Sequence, residues 1–294
     1  PDEQMSNRRE MAEKQRLSDM LNAMSDEQRK VVIDETAALL ERQSQEDDAD
    51  LLPEVTREDI PATQFIATPT VSNKDLGWEF YGAGTNGLVY HQLVIDWPKV
   101  DDKSLPYLNL MAQLMTELGL GEQDYLAVQA KQAAVCGSLA AYLSYRGQAT
   151  DADQLNAYFV LSTKGLVSQQ SAIVDLLKET LLSVRFDEKQ RIKELVGQLR
   201  SRRQQSVGQS GHSFALGAAS RNMSAGANLQ YSVSGLKGIV WLQKLDDSLQ
   251  DEQHLTDLCN TLADLQQQLC QQPLQLASVG EEQQQAYIKS TFAS

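Results

Sequence analysis

The chain has 294 residues, 41% of them hydrophobic, and a formal net charge of −14. That is enough apolar material for two modest domains or one large domain with an appendage, and no run of roughly eighteen apolar residues is present to span a bilayer as a helix. The charge speaks against nucleic acid, whose affinity rests on neutralising phosphates with Lys and Arg; its plain meaning is solubility, with a basic partner as the sharper alternative.

The opening Pro1-Asp2-Glu3-Gln4 carries neither Met nor an apolar h-region. It reads as neither a signal peptide nor a natural start, and a chain that begins on polar helical residues is expected to be a piece of something longer. Residues 3–24 place Leu17, Met20, Leu21 and Met24 on one stripe of a helix. Ser25, three residues before Gln28, forms a capping-box pattern that starts a second helix, whose stripe is Val32, Ile33, Thr36, Ala37, Leu39 and Leu40. Two such helices make a hairpin too small to bury both stripes alone. The acidic run 46–50, Leu51-Leu52-Pro53 and Ile60-Pro61 then read as a boundary, because Pro cannot continue a helix and makes the residue before it extended. Domain organisation is therefore expected as a helical hairpin over 1–50, an extended hinge over 51–61 and an α+β domain over 62–294.

Past the boundary the hydrophobic period changes. Strands are predicted at 64–70, 76–82 and 87–97. In the last, Val89, His91, Leu93, Ile95 and Trp97 share one face, opposite Leu88, Tyr90, Gln92, Val94 and Asp96. Both faces are fairly apolar, which predicts a central strand covered on at least one side. Helices follow near 104–119, ended by Gly119 and Gly121, and near 122–133. Two more strands are read in "VCGSLAAYLSYRG" and "LNAYFVLSTKGL", with Gly137 marking a bulge or a close backbone approach. A helix over 168–184 carries Ile173, Leu176, Leu177, Thr180 and Leu181; Asp187 is predicted to cap the next, running to about residue 205. "SVGQSGHSF" is expected to interrupt it. Helices at 211–221, 224–234, 236–249 and 251–271, a strand "LQLASVG" and a short helix from Glu281 complete the pattern. Strands and helices come in blocks, so the fold class is α+β, with an antiparallel-rich sheet and helices packed against it.

Chemistry-bearing residues are sparse. Zinc proteases set two histidines around a Glu on one helical turn so that both rings reach one ion; here His91, His212 and His254 stand alone. His91 reads as a strand residue with a satisfied ring and His254 as a solvated one. A Ser-His-Asp arrangement is not excluded by spacing, but no G-x-S-x-G elbow is present. "GQSGHSFALGAASRNMSAG" matches no phosphate-binding glycine pattern; its plain reading is small residues that let helices approach. Cys259 and Cys270 lie about 16 Å apart along one helix, too far for a disulfide, and three scattered thiols fit a reducing compartment. The one cationic feature is the helix bearing Lys189, Arg191, Lys193, Arg200, Arg202 and Arg203, read as a solvated face or, alternatively, a groove for acidic segments. No catalytic or metal-binding residue is identified, and substrate-binding residues are not assigned.

A polar hairpin, then "LLPEVTREDIP", "TNGLVYHQLVIDW" and "LPYLNLMAQLMTELGLGEQDY", and further on "SGHSFALGAASRNMSAGANLQYSVSGLKGIVWLQKLDD", resemble in this order the presequence-protease branch of the pitrilysin/insulinase zinc metallopeptidases. The resemblance covers nearly the whole chain. It implies two homologous halves, tied by a helical hairpin, that close like a clamshell around a chamber for peptides and unfolded segments. On that resemblance the chain is the hairpin exit plus the third of four domains. The H-x-x-E-H zinc motif belongs to the first domain and the substrate-anchoring Arg and Tyr to the last. No family catalytic residue is carried onto a position here, and no cofactor is expected in this piece; zinc is expected in the missing N-terminal half. The implied role is chamber wall and link to the catalytic half of a peptide-degrading metalloendopeptidase, with that half and peptides as partners, and neither nucleic acid nor membrane. Bacterial cytoplasm is the expected location, an organellar matrix the other. The alternatives are a stand-alone scaffold whose hairpin docks a partner, or a catalytically inactive pitrilysin-like subunit.

Without a paired-histidine motif, the purified chain is expected to hold no stoichiometric zinc and to cleave no peptide. One tightly held zinc per chain with chelator-sensitive peptidase activity, by metal analysis and peptide turnover, would overturn this.

Overall fold

In a computed structural model, residues 5–46, 53–64, 66–75, 77–148 and 150–292 are described. The run Asp47–Leu52, central to the predicted boundary, lies outside them. The chain divides into two compact units, residues 1–65 and 66–294.

In the first unit, α1 (Met5–Ala23) and α2 (Asp26–Ser44) meet at Met24-Ser25. The predicted capping box forms: the Gln28 backbone N–H donates to Ser25 Oγ (3.3 Å), and the Ser25 N–H to Gln28 Oε1 (2.9 Å), satisfying two of the amides that a helix start leaves unpaired. Arg29 donates back across the joint to the Leu21 carbonyl (2.8 Å). Both apolar stripes remain in solvent: Leu17, Met20, Leu21, Val32, Leu39 and Leu40 are all exposed. Beyond Pro53 the backbone is extended to Thr56, and a 3-10 turn at Arg57–Asp59 follows, held by the Thr56 N–H and hydroxyl donating to Asp59 Oδ2.

The second unit is built on a six-stranded sheet. Its strands are β1 (Val71–Asn73), β2 (Trp78–Gly82), β3 (Leu88–Asp96), β4 (Ser138–Gly147), β5 (Leu155–Leu166) and β6 (Leu274–Gly280). The order is β1-β2-β6-β3-β5-β4, with β2 and β6 parallel and every other pair antiparallel. The helices are α3 (Leu105–Leu114), α4 (Tyr125–Val135), α5 (Gln170–Leu182), α6 (Lys189–Gln209), α7 (Gly211–Ser220), α8 (Ala225–Val233), α9 (Leu236–Ser248), α10 (Glu252–Leu269) and α11 (Gln285–Phe292). This is the α+β class read from the sequence. β3 is central, between β6 and β5, and Val89, His91, Leu93 and Ile95 are buried as its alternation predicts.

The core lies between that sheet face and the helices. Trp78 and Phe80 from β2 and Phe159 and Leu161 from β5 meet Leu108 and Met111 of α3 and Ile173 and Leu177 of α5. Along α10, Leu255, Leu258, Leu262, Leu265 and Leu269 form one buried stripe, the i, i+3, i+7 spacing of a helix resting on a core.

Several expectations are corrected. The strand predicted at 64–70 is not formed by its described residues; pairing starts at Val71, because Pro69 has no N–H for a ladder, and Thr70 closes the edge by donating to the Phe80 carbonyl (2.7 Å). Gly137 sits before β4 and makes no bulge; the tight site is Gly165 opposite, where a Cβ would stand 2.7 Å from Ile173 Cδ1. Asp187 does not cap α6: its carboxylate turns to Arg185 (3.1 Å), and the residue at the cap position, Glu188, instead accepts from the Gly119 N–H (2.8 Å). "SVGQSGHSF" breaks the helix only at Ser210, since α6 runs on through Val207 and Gly208 to Gln209. Nor do Gly208, Gly211 and Gly217 serve close approach, each facing open space; the tight joint is α8–α9, where a Cβ on Gly238 would meet the Val233 carbonyl oxygen at 2.3 Å.

Gly238 and Gly217 therefore predict opposite outcomes. Gly238→Ala forces backbone apart and should cost more than about 2 kcal/mol, whereas Gly217→Ala, in open space on α7, should stabilise by about 0.5–1 kcal/mol. Urea denaturation midpoints of the two variants decide it.

Candidate functional site

Histidines come first, as the side chains best suited to acid-base or metal chemistry near neutral pH. His212 is exposed on α7, and His254, exposed on α10, has Nδ1 3.3 Å from the Ser248 carbonyl. His91 is buried, its Nδ1 2.8 Å from Ser278 Oγ and its Nε2 2.8 Å from Gln170 Oε1. The Gln170 amide nitrogen donates to Thr291 Oγ1 (3.0 Å), so its oxygen must accept. A neutral ring then carries its proton on Nε2, and Nδ1 accepts from the Ser278 hydroxyl. Trp78 Nε1 donates to the same Ser278 oxygen (2.9 Å). Burial pushes the His91 pKa down to about 4, outweighing the Gln170 hydrogen bond, which raises it. A serine beside a histidine is thus present, yet no carboxylate orients the ring and Ser278 is sealed from solvent, so the pair is structural.

Thiols and metals offer no more. Burial raises the pKa of Cys136, Cys259 and Cys270, keeping each as the unreactive thiol. Among the described residues no group of three His, Cys, Asp or Glu side chains could hold a metal ion. The basic helix is largely committed to its own fold. Lys189 pairs with Glu252 (2.8 Å), Arg191 with Glu117 (3.4 Å) while lying over the Tyr125 ring, and Arg200 with Asp246 and Asp247 (2.8 and 2.6 Å); Lys193 donates to Gln250. Only Arg202 and Arg203 of the six cations fit the groove reading at all.

What sequence reasoning missed is the second face of the sheet. The positions that alternate with the core on β3, Tyr90 and Gln92, are exposed, as are Lys164 on β5, Ser138, Ala140 and Tyr142 on β4, and Glu79 on β2. Val160, flanked across strands by Val94 and Tyr142, is the buried exception. Tyr90 and Tyr142 keep 38% and 40% of their surface in solvent, so this face is uncovered. Gln92 Nε2 reaches the Tyr142 hydroxyl at 3.4 Å, and Tyr81 donates to Glu79 (2.8 Å). Near β1 a groove of about 260 Å³ runs between Ser72, Lys74, Val94 and Gln275. Rigid aromatic faces among Ser, Ala and Gln suit sequence-tolerant contact with extended chains. The signal is the parity of Ser, Ala and Tyr in "SLAAYLSYRG", readable only once the helix side is known.

The family model described as "Peptidase M-16C associated" matches residues 1–245. The mitochondrial presequence protease of Danio rerio is 25% identical over 266 residues, covering 90% of this chain and 25% of that protein. That of Debaryomyces hansenii is 24% identical over 261 residues, 86% of this chain and 24% of the relative. Presequence protease 1, chloroplastic/mitochondrial, of Arabidopsis thaliana is 22% identical over 262 residues, again 86% and 24%. The chain thus spans about a quarter of the length of these relatives. A crystal structure of a conserved protein from Enterococcus faecalis V583 shares the fold, with a TM-score of 0.51 over 74% of this chain and 49% of that one at 13% identity.

His91 makes stability depend on acid. Its folded pKa of about 4 lies below the ordinary 6.5, so its contribution is complete above pH 6.5 and is lost as pH falls towards 4, by up to roughly 3 kcal/mol. Urea midpoints between pH 7.5 and 5 should fall with acid and fall less in His91→Gln; equal pH slopes for the two proteins would refute the assignment.

Proposed function

The chain belongs to the family of that matching model, the associated region of a presequence protease-like group of the pitrilysin-type metallopeptidases, and from that we propose that it forms a non-catalytic wall of a peptide-degrading zinc metalloendopeptidase. The observation that carries the proposal is the one-sided sheet. Helices and core occupy one face, while the other presents Tyr90, Gln92 and Tyr142 to solvent, a surface fit to line a chamber and hold an extended peptide. Catalysis, with its zinc, would reside in another part of the same polypeptide, joined through α1, α2 and the segment over 51–61. The proposed organisation remains a helical link over 1–50, a hinge over 51–61 and a third domain over 62–294. Relatives named mitochondrial or chloroplastic/mitochondrial favour an organellar matrix over bacterial cytoplasm.

A wall acts by positioning and closure, which accelerate without supplying a reacting group. Peptide turnover should therefore be weak for the zinc-bearing half alone, rise modestly when this chain is added, and rise far more when the two are covalently linked, since the link sets their effective concentration. In the linked protein, Tyr90→Ala with Tyr142→Ala should lower kcat/KM by about tenfold, the loss of two aromatic contacts, with zinc content unchanged. Full turnover by the zinc half alone, or no effect of the double substitution, would remove this chain from the chamber and favour a scaffold role.

A further inference from the structure

On α6, residues Leu195, Gln198, Leu199, Arg202, Arg203 and Ser206 fall on one stripe, and that stripe faces Gln113, Leu114 and Glu117 after the turn of α3. Between them lies a cleft of about 560 Å³, within the size range of small-ligand sites. Its floor is apolar, because Leu114, Leu195 and Leu199 are buried core residues. Its rim is cationic. Among the described residues, Lys189, Arg191 and Arg200 of the same helix each have a carboxylate, but Arg202 and Arg203 have none. Arg203 is half-buried and makes only two long hydrogen bonds to neutral groups, the Ser234 carbonyl at 3.2 Å and Gln113 Oε1 at 3.4 Å. Glu117 does not compensate it, being held by Arg191 (3.4 Å) and Gln129 (3.1 Å).

Two adjacent guanidiniums, one partly desolvated, repel one another and favour an anion between them; burial and the charge of Arg202 both lower the Arg203 pKa. Guanidinium forks match carboxylates bidentately, and an apolar floor beside them selects a carboxylate carried on an apolar body. We propose that this cleft binds the C-terminal carboxylate of a short peptide whose last side chain is apolar, with Arg202 and Arg203 taking the carboxylate and Leu114, Leu195 and Leu199 the side chain. The choice of a peptide rests on the function proposed above; the site itself rests on the charge and shape of the cleft. It lies in the helix layer, on the far side of the sheet from Tyr90 and Tyr142, and so would hold a product or effector apart from the open face.

Isothermal titration of the whole chain with N-acetyl-Leu-Leu as free acid, with its C-terminal amide, and with hexanoate tests this without any turnover assay, so failure of the chamber reading and failure of this site remain distinguishable. The acid should bind about tenfold more tightly than the amide, the scale of one charge-assisted pair. Arg202→Gln, a change at an exposed residue, should erase most of that difference, as should Arg203→Gln where it folds; added salt should weaken the acid selectively. Equal binding of acid and amide, no binding of the acid at about 5 mM, or unchanged affinity in Arg202→Gln would overturn the site. Hexanoate binding as tightly as the dipeptide acid would overturn the assignment to peptides and give the cleft to small organic acids.

Discussion

A single directed row of hydrogen bonds ties the second unit together. It runs from Trp78 on β2 through Ser278 on β6 and His91 on β3 to Gln170 on α5 and Thr291 on α11, whose hydroxyl ends on the Ile288 carbonyl. Each donor in it has one acceptor, so the row has one polarity and His91 one tautomer. Buried polar groups are costly when unpaired; here they are paired only if three strands and two helices hold their register together. Phe292 closes the row with its ring edge-on to His91, centroids 5.0 Å apart. The parallel contact of β2 with β6 and the seating of α11 therefore stand or fall with the same side chains.

With one face of the sheet committed in this way, the other is free to be a surface. The helix layer shows a related division of labour. Charges on α6 that face α9 and α10 are neutralised within the fold, while those at its later turns are left for something else. Net acidity says nothing about this, because the −14 charge is an average over a molecule whose cations are locally arranged.

Features encoded within a few residues are legible in the sequence. The Ser25–Gln28 cap, the alternation of Val89, His91, Leu93 and Ile95, and the stripe of α5 all depend on neighbours at fixed spacing. Features that depend on distant partners are not. Asp187 has good capping chemistry, but Arg185 competes for it, and Glu188 is drawn to Gly119, 69 positions away. The satisfied ring of His91 can be read from its strand, while its partners, 79 and 187 positions off, cannot be named. The uncovered sheet face is hidden because small and aromatic residues at alternate positions serve equally well under a helix or in water. The family resemblance is legible because it depends on the order of whole segments. It points to a region without chemistry of its own, which suits a chain whose three histidines are scattered.

The place of β6 has a consequence for how the molecule is assembled. β2 and β3 are consecutive in the chain, yet they are not paired; β6 is inserted between them, and Trp78 finds Ser278 across 200 positions. During synthesis both strands emerge with an unpaired edge and keep it until every helix from α3 to α10 has been made. Sheets completed by such non-local pairing form slowly, since loop closure must precede the contacts that reward it. In that interval the chain exposes Val89, Leu93 and Phe80 beside open backbone, the combination most prone to pair with another chain. The nascent protein therefore depends on a holding chaperone, or on early docking of the α3–α5 helices against β3–β5, until its last strand arrives.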